Sequence, residues 1–353
     1  MLKILALREK FDHMGTVSGY DALYNHFGNT AYVDSVFCNF KKIYPRGIGR
    51  ALQSIAKLGS SSTFYNAQSA GVELKLLAKA ATKNYDIIHY TYGEPYYGFG
   101  SLKTNTDNIV ITNHQPTSWW QLNTSLLKKF NTSAKVIALS DHDALFFNEY
   151  MPGKAICIPH GVDTFFFKPA VVKTYTDTFK IIFSGRYLRD MVTLAAVVKK
   201  LSAAYKNFFF DIIYLDKREI TEACLIEIMA LANVQFHANI SENNLLELYQ
   251  SADCCLIPLN DCTANNAILE AMACGLPIVS TDLPAIKTYL DDSMAILGRK
   301  GNVDDLYDAL LLLYNNNSLR KNMAENARQK TIANFDWNII AGKTLNLFNS
   351  LVN

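Results

Sequence analysis

The chain has no Cys-x-x-Cys pair, no low-complexity tract, no internal repeat and no run of the ~18–20 apolar residues that a membrane-crossing helix needs. Each absence excludes something. Without paired cysteine spacing, a zinc site is not expected. The 7 cysteines, an odd number sitting mostly in apolar runs such as SADCCLIPL, read as buried, reduced thiols of a cytosolic protein. Charge is also scarce. Only 19% of the 353 residues are Asp, Glu, Lys or Arg, and 34 basic against 32 acidic side chains leave a net +2. That balance excludes a protein built to bind nucleic acid, while a pI near 8.0 permits peripheral contact with an anionic membrane surface. The opening MLKILALREKFD has too short an apolar core and too many charges for a secretory signal, and reads as a first strand.

What the chain does have is a succession of short apolar runs separated by helical patterns. KILAL (3–7), DIIHY (86–90), NIVITNH (108–114), KVIALS (135–140) and AICIPH (155–160) form one series. KIIFSG (180–185), FFFDIIYL (208–215), VQFHA (234–238), CCLIPL (254–259) and LPIVSTD (276–282) form a second. Between them lie helical stretches such as VTLAAVVKKLSAAY (192–205) and SENNLLELYQSA (241–252), the latter with Ser241 placed to cap it. Apolar strands alternating with helices mean parallel sheets covered on both faces. Half of the residues are hydrophobic, and the length suits two such domains. The reading is an α/β chain of two Rossmann-like domains facing a cleft: 1–168, then 176–335, joined by a linker at 165–178 and followed by a last helix at 336–353. That helix carries a stripe of Trp337, Ile340, Thr344, Leu347 and Leu351.

The stretch NNAILEAMACGLPIVSTD (265–282) is almost entirely small or apolar, yet holds Glu270. At helical spacing Ile268, Leu269 and Met272 share a core-facing arc, whereas Asn266, Ala267, Glu270, Ala273 and Cys274 share the other, leaving room for a ligand beside Glu270. The polar loop DCTANNA (261–267) opens this helix, so Asp261, Thr263, Asn265, Asn266 and Ala267 surround an N-terminus whose unpaired N–H groups suit an anion. Phosphate there and hydroxyls one turn in, at Glu270, describe a nucleoside diphosphate.

EAMACGLPIVSTD resembles the signature of the retaining glycosyltransferases of family 4, the group 1 transferases, with the GT-B fold. AICIPHGVDTFFFKP is similar to that family's hinge segment, IIFSGRYLRD to its strand and phosphate loop, ISENNLLELYQSADCCLIPL to the segment ahead of the signature, and HMGTVSGYDALYNHF to the glycine-bearing loop after the first strand. The resemblance implies that the last helix crosses back to the N-terminal domain. It implies pyrophosphate binding by Arg186, where a guanidinium just past a strand end can take phosphate oxygens and stabilise the leaving group. It also implies ribose binding by Glu270, close backbone approach at Gly15 and Gly19, and a place near the donor sugar for His114, where ionisation near neutral pH permits proton handling. His89 is a lesser candidate and His160 is read as structural. Tyr92, Trp119 and Trp120 stand in aromatic segments suited to stacking on an acceptor sugar, and the two tryptophans equally to touching lipid headgroups.

Two positions depart from the family pattern. Its first glutamate falls on Cys262, with Asp261 adjacent. Its second phosphate-clamp base falls on Met191, with Arg189 able to reach instead. Expected chemistry is transfer of a sugar from a UDP- or GDP-linked donor to an acceptor hydroxyl with retention, in glycan, polysaccharide or glycolipid synthesis. The partners are that nucleotide sugar and a sugar or lipid-linked acceptor. The place is the cytoplasm, including the inner face of the membrane. No Asp-x-Asp lies in a suitable loop, so neither metal nor cofactor is expected. The alternatives are a non-catalytic sugar-nucleotide-binding partner of another transferase and a nucleotide-sugar epimerase of the same fold.

Overall fold

The computed structural model describes residues 1–9, 17, 19–38, 51, 54–55, 64–172, 177–214 and 220–352. The chain divides into two compact units, Met1–Asp12 with Gly19–His160 and Trp337–Asn353, and His13–Ser18 with Gly161–Asp336.

The first unit holds a six-stranded parallel sheet built from β1 (Leu2–Arg8), β2 (Ala31–Phe37), β3 (Ile87–Tyr90), β4 (Ile109–Thr112), β5 (Lys135–Ala138) and β6 (Ala155–Cys157), in the order β2-β1-β3-β4-β5-β6. Ile4 of β1 lies opposite Val33 of β2 and Ile87 of β3. The central strands β3 and β4 are buried at every residue, as expected when helices cover both faces. β2 escaped the sequence reading because it is an edge strand. AYVDSVF is partly exposed along its length and carries Asp34, which accepts from Tyr85 Oη at 2.6 Å and pairs with Lys79. The helix Trp337–Ser350 belongs to this unit and seats Trp337, Ile340, Thr344, Leu347 and Phe348 against it, next to the short 3-10 helix Tyr20–His26.

The second unit repeats the plan with β7 (Phe179–Ser184), β8 (Phe208–Ile213), β9 (Val234–His237), β10 (Cys254–Ile257), β11 (Ile278–Thr281) and β12 (Ala295–Gly298), all parallel, in the order β12-β11-β10-β7-β8-β9. β12, again an edge strand, was also absent from the sequence reading. Helices Met191–Ala204 and Glu242–Ser251 form where expected, the second capped by Ser241 Oγ accepting from Asn244 N at 3.2 Å.

The join differs from the expectation. The boundary between the units falls at His160–Gly161, ahead of the expected linker, and the start of that linker is anchored in the second unit. Phe167 is fully buried in the second unit's core, and Arg328 donates to the carbonyls of Thr164 (3.0 Å), Phe167 (2.8 Å) and Ala273 (2.7 Å). Aromatic residues inside 160–170 outweigh its turn-like composition. All seven cysteines are free and five are buried. Among the described residues, no helix is long and apolar enough to cross a membrane.

Candidate functional site

In the second unit the loop after β7 and the loop after β10 are stitched together. Asp190 N donates to Pro258 O at 3.0 Å, Asn260 N to Leu188 O at 2.9 Å, and Asn260 Nδ2 to Arg189 O at 3.0 Å. Gly185 turns the chain with φ 96°, a conformation that suits glycine, and a Cβ there would stand 2.9 Å from Arg189 Nη2. Its lack of a side chain lets the Arg189 guanidinium fold back over the turn. That guanidinium donates to Ser184 O (3.2 Å), Tyr187 O (3.0 Å) and Asn265 Oδ1 (2.9 Å), so it holds the loop to the N-cap of the helix Asn266–Ala273. Burial pulls the Arg189 pKa down, and negative neighbours, Glu270 among them, oppose that shift.

Arg186 occupies the same loop but is exposed. Its Nε lies 4.0 Å from Glu222, and its guanidinium stands 5.9 Å from the Tyr214 ring centre. Of the two arginines, Arg186 is thus the one presented to solvent, and Arg189 is largely committed to protein acceptors. Met191 is buried in the core at the start of its helix, so that position has no basic group to offer.

Glu270 corrects one expectation. Its residue is only 6% exposed, and the helix Asn266–Ala273 is buried on nearly every side, Asn266 excepted. That helix packs along the helix Asn317–Asn334, and of the residues that were read as an open face Ala267, Glu270, Ala273 and Cys274 are buried while Asn266 is partly exposed. Tyr249 Oη donates to Glu270 Oε2 at 3.0 Å, and burial raises the Tyr249 pKa well above its usual value, with Glu270 second, keeping the phenol protonated. Asp261 Oδ1 accepts from Cys262 N at 2.7 Å, while Cys262, Thr263 and Ala267 are buried.

The first unit gathers a separate set of residues. Gly19, with φ 90°, starts the helix Tyr20–His26, and its carbonyl accepts from Ala22 N at 3.2 Å. Gly15 lies outside the described residues. His114 stacks on Tyr92 with ring centres 4.1 Å apart and meets the Tyr20 edge at 5.0 Å. Its Nε2 donates to Thr91 O at 2.9 Å, which leaves Nδ1 as the lone-pair nitrogen. Burial, reinforced by His160, lowers the His114 pKa to about 3. The expected ionisation near neutral pH is therefore not found: His114 is a neutral imidazole. His89 is fully buried, with Nδ1 at 2.8 Å from Tyr24 Oη and Nε2 at 2.8 Å from Thr112 Oγ1, and His160 is buried too.

Trp120 is a second correction. It is fully buried between Phe130 and Phe147, and its Nε1 donates to Asn113 Oδ1 at 2.6 Å, so it meets neither sugar nor lipid. Trp119 is partly exposed and stacks on Phe64 at 5.4 Å, and Tyr92 is partly exposed with one ring face against His114. Much of the aromatic, glycine-rich segment 89–100 is packing. Glu73 accepts from the N–H groups of Gly98 (3.0 Å), Phe99 (2.9 Å) and Gly100 (2.8 Å), and Tyr90, Tyr96 and Tyr97 are buried. Glu94, unremarked in the sequence, is buried, and its Oε1 accepts from His114 N (2.5 Å) and Gln115 N (2.7 Å). Desolvation pushes its pKa up to about 7.

A turn that delivers an exposed arginine lies one strand away from a capped helix N-terminus in a parallel sheet, an arrangement whose chemistry suits an anion, with a carboxylate behind it. The model of the family described as Glycosyl transferases group 1 matches residues 165–330. The second unit belongs to this family. A phosphatidyl-myo-inositol mannosyltransferase of Mycolicibacterium smegmatis is 25% identical over 224 residues, 61% of this chain and 57% of that protein. An N,N'-diacetylbacillosaminyl-diphospho-undecaprenol alpha-1,3-N-acetylgalactosaminyltransferase of Campylobacter jejuni is 29% identical over 113 residues, 32% of this chain and 30% of that one. The chain spans only 57% and 59% of the length of the first curated relatives it matches. Among solved structures, a sucrose-phosphate synthase from Thermosynechococcus elongatus aligns with TM-score 0.77 at 17% identity over 99% of both chains. Anabaena HepE in complex with UDP and glucose aligns with TM-score 0.72 at 15% identity over 99% of this chain and 100% of that one. These likenesses show the fold, which is GT-B.

Within the group 1 unit, two features were not legible beforehand. Tyr249 stands in SENNLLELYQSA as one aromatic residue among leucines, and only the packed helix shows that it holds Glu270. The Arg189–Asn265 contact links residues 76 apart in sequence, and no local pattern announces it.

Proposed function

We propose that this chain is a retaining glycosyltransferase that moves a sugar from a UDP- or GDP-linked donor to an acceptor hydroxyl in glycan or glycolipid synthesis. The observation that carries this reading is the junction of the β7 loop with the capped N-terminus of Asn266–Ala273, with Arg186 exposed beside it and Glu270 about one turn in. Diphosphate on Arg186 and the helix N-terminus, and ribose toward Glu270, fit that arrangement. The names of the relatives, a mannosyltransferase and an N-acetylgalactosaminyltransferase with lipid-linked substrates, and a neighbour that holds UDP, support both the donor class and a sugar or lipid-linked acceptor. A lipid-linked acceptor would place the protein at the cytoplasmic face of a membrane.

In the step itself the bond from the anomeric carbon to the diphosphate oxygen breaks while the acceptor oxygen bonds to the same carbon from the same face. The acceptor proton passes to the departing phosphate oxygen. Arg186 meets the charge that develops on that oxygen, stabilising the transition state more than the ground state. Arginine and helix dipole supply the positive charge at the phosphate, so the reaction is read as metal-independent. His114, being neutral, offers a hydrogen bond and no proton.

Thermal shift with UDP, GDP and ADP, and then with their sugars, tests the reading. One nucleotide should raise the melting temperature of the parent, and Arg186→Ala should abolish the shift. An unchanged shift in that variant means that the site is elsewhere. Cys262 in place of the family's glutamate keeps a second reading open, a binder of sugar nucleotides without turnover. Slow release of nucleoside diphosphate from the donor, undiminished by EDTA, marks the transferase. Binding without release marks the partner protein, and inversion at a sugar carbon of the recovered nucleotide sugar marks the epimerase.

A further inference from the structure

Resting on that reading, we infer that Asn265 is a direct hydrogen-bond donor to the diphosphate, through an amide nitrogen that Arg189 orients. Asn265 caps the helix Asn266–Ala273, and its residue is only 5% exposed. Its Oδ1 accepts twice, from Ile268 N at 3.3 Å and from Arg189 Nη2 at 2.9 Å. A guanidinium has only donors, so the amide oxygen must be the atom facing Arg189, and the amide nitrogen must face the other way. That nitrogen is buried and has no hydrogen-bond partner. A buried donor left unmade is uncommon in folded chains and asks for an explanation.

The place of this nitrogen supplies one. It sits at the positive end of an eight-residue helix, where the N–H groups of Asn266 and Ala267 have no intrahelical acceptor either. Three donors and a dipole together select an oxygen-rich anion over a neutral hydroxyl, and a diphosphate oxygen is the acceptor that completes the set. Arg189 is then a positioning residue. Its three contacts to Ser184 O, Tyr187 O and Asn265 Oδ1 bind both loops together and lock the amide in the orientation that points nitrogen at the ligand. With the arginine absent, only the longer bond from Ile268 N holds the oxygen, and a flip that presents oxygen to the phosphate becomes easier.

Asn265→Asp tests this directly. Aspartate caps a helix as well as asparagine and gains a charge-assisted bond to Arg189, so the unliganded melting temperature is expected to hold or rise. The donor becomes an anionic oxygen, and affinity for UDP or GDP, and for inorganic pyrophosphate, is expected to fall by about ten- to hundredfold. Calorimetry should also show Arg189→Ala weakening binding, and Arg189→Ala with Asn265→Ala weakening it no further than Asn265→Ala alone. If Asn265→Asp binds as the parent does while Arg186→Ala does not, the inference is overturned and the proposed function stands. A double variant much weaker than Asn265→Ala alone means that Arg189 touches phosphate itself, which overturns the positioning role. A parent that binds no nucleoside diphosphate overturns both.

Discussion

At the scale of single residues, burial sets the chemistry more than residue type does. His114 and Glu94 share one loop junction, and desolvation moves them in opposite directions, one to about 3 and the other to about 7. For Glu94 the folded value lies above the ordinary 4.5, so its contribution to stability is complete below about pH 4.5 and is lost as pH rises through about 7. Glu94→Gln keeps an oxygen for His114 N and Gln115 N without the charge. It should be more stable than the parent at pH 8, by up to about 3 kcal/mol, and lose that advantage at pH 4. Denaturant melts at the two pH values measure it, and a constant difference between them would refute the assignment. For His114, proton NMR should show a neutral ring between pH 5 and 8, with no titration near 6.5. Tyr249→Phe removes the donor to Glu270 Oε2 and should cost about 1–3 kcal/mol, since a buried acceptor loses a partner.

At the scale of elements, two glycines matter through contacts that the sequence does not show. Gly185 was visible in IIFSGRYLRD. That its φ is 96° and that a Cβ would press on Arg189 emerges only when the guanidinium folds back. Gly185→Ala should therefore cost about 1–3 kcal/mol in stability and weaken nucleotide binding, because it displaces the arginine that holds the helix cap. Gly93 makes the contrasting case. A Cβ there would lie 2.1 Å from Ile111 Cγ2 and 2.7 Å from Phe130, so Gly93→Ala should destabilise the first unit by about 1–3 kcal/mol. The ten strands read from apolar runs are all present, each within a few residues of its expected ends. The two that were missed, β2 and β12, are edges. An edge strand is half solvated and need not be apolar throughout, so it lacks the signal that betrays a central strand.

At the scale of the whole molecule, the last helix ties the ends of the chain together. Trp337, Ile340 and Phe348 are fully buried in a unit whose other residues come from before His160. Trp337→Ala should cost about 3–5 kcal/mol, confined to the first unit. Hydrogen exchange should show faster opening of β1, β3 and the helix Tyr20–His26 and unchanged protection of β7, β10 and β11. Equal loosening of both units would contradict the division.

The sequence alone determined the parallel α/β plan, its repetition and the family signature. These follow from local periodicity, from strands buried on both faces, and from glycine and proline at helix ends. Tertiary structure decided which side chains are available for chemistry. The burial of Trp120 among Phe130 and Phe147, the neutral state of His114, the enclosure of Glu270 behind Tyr249 and the unpaired nitrogen of Asn265 depend on groups far away in sequence. Desolvation and hydrogen-bond completion are properties of a packed environment, and no window along the chain contains that environment.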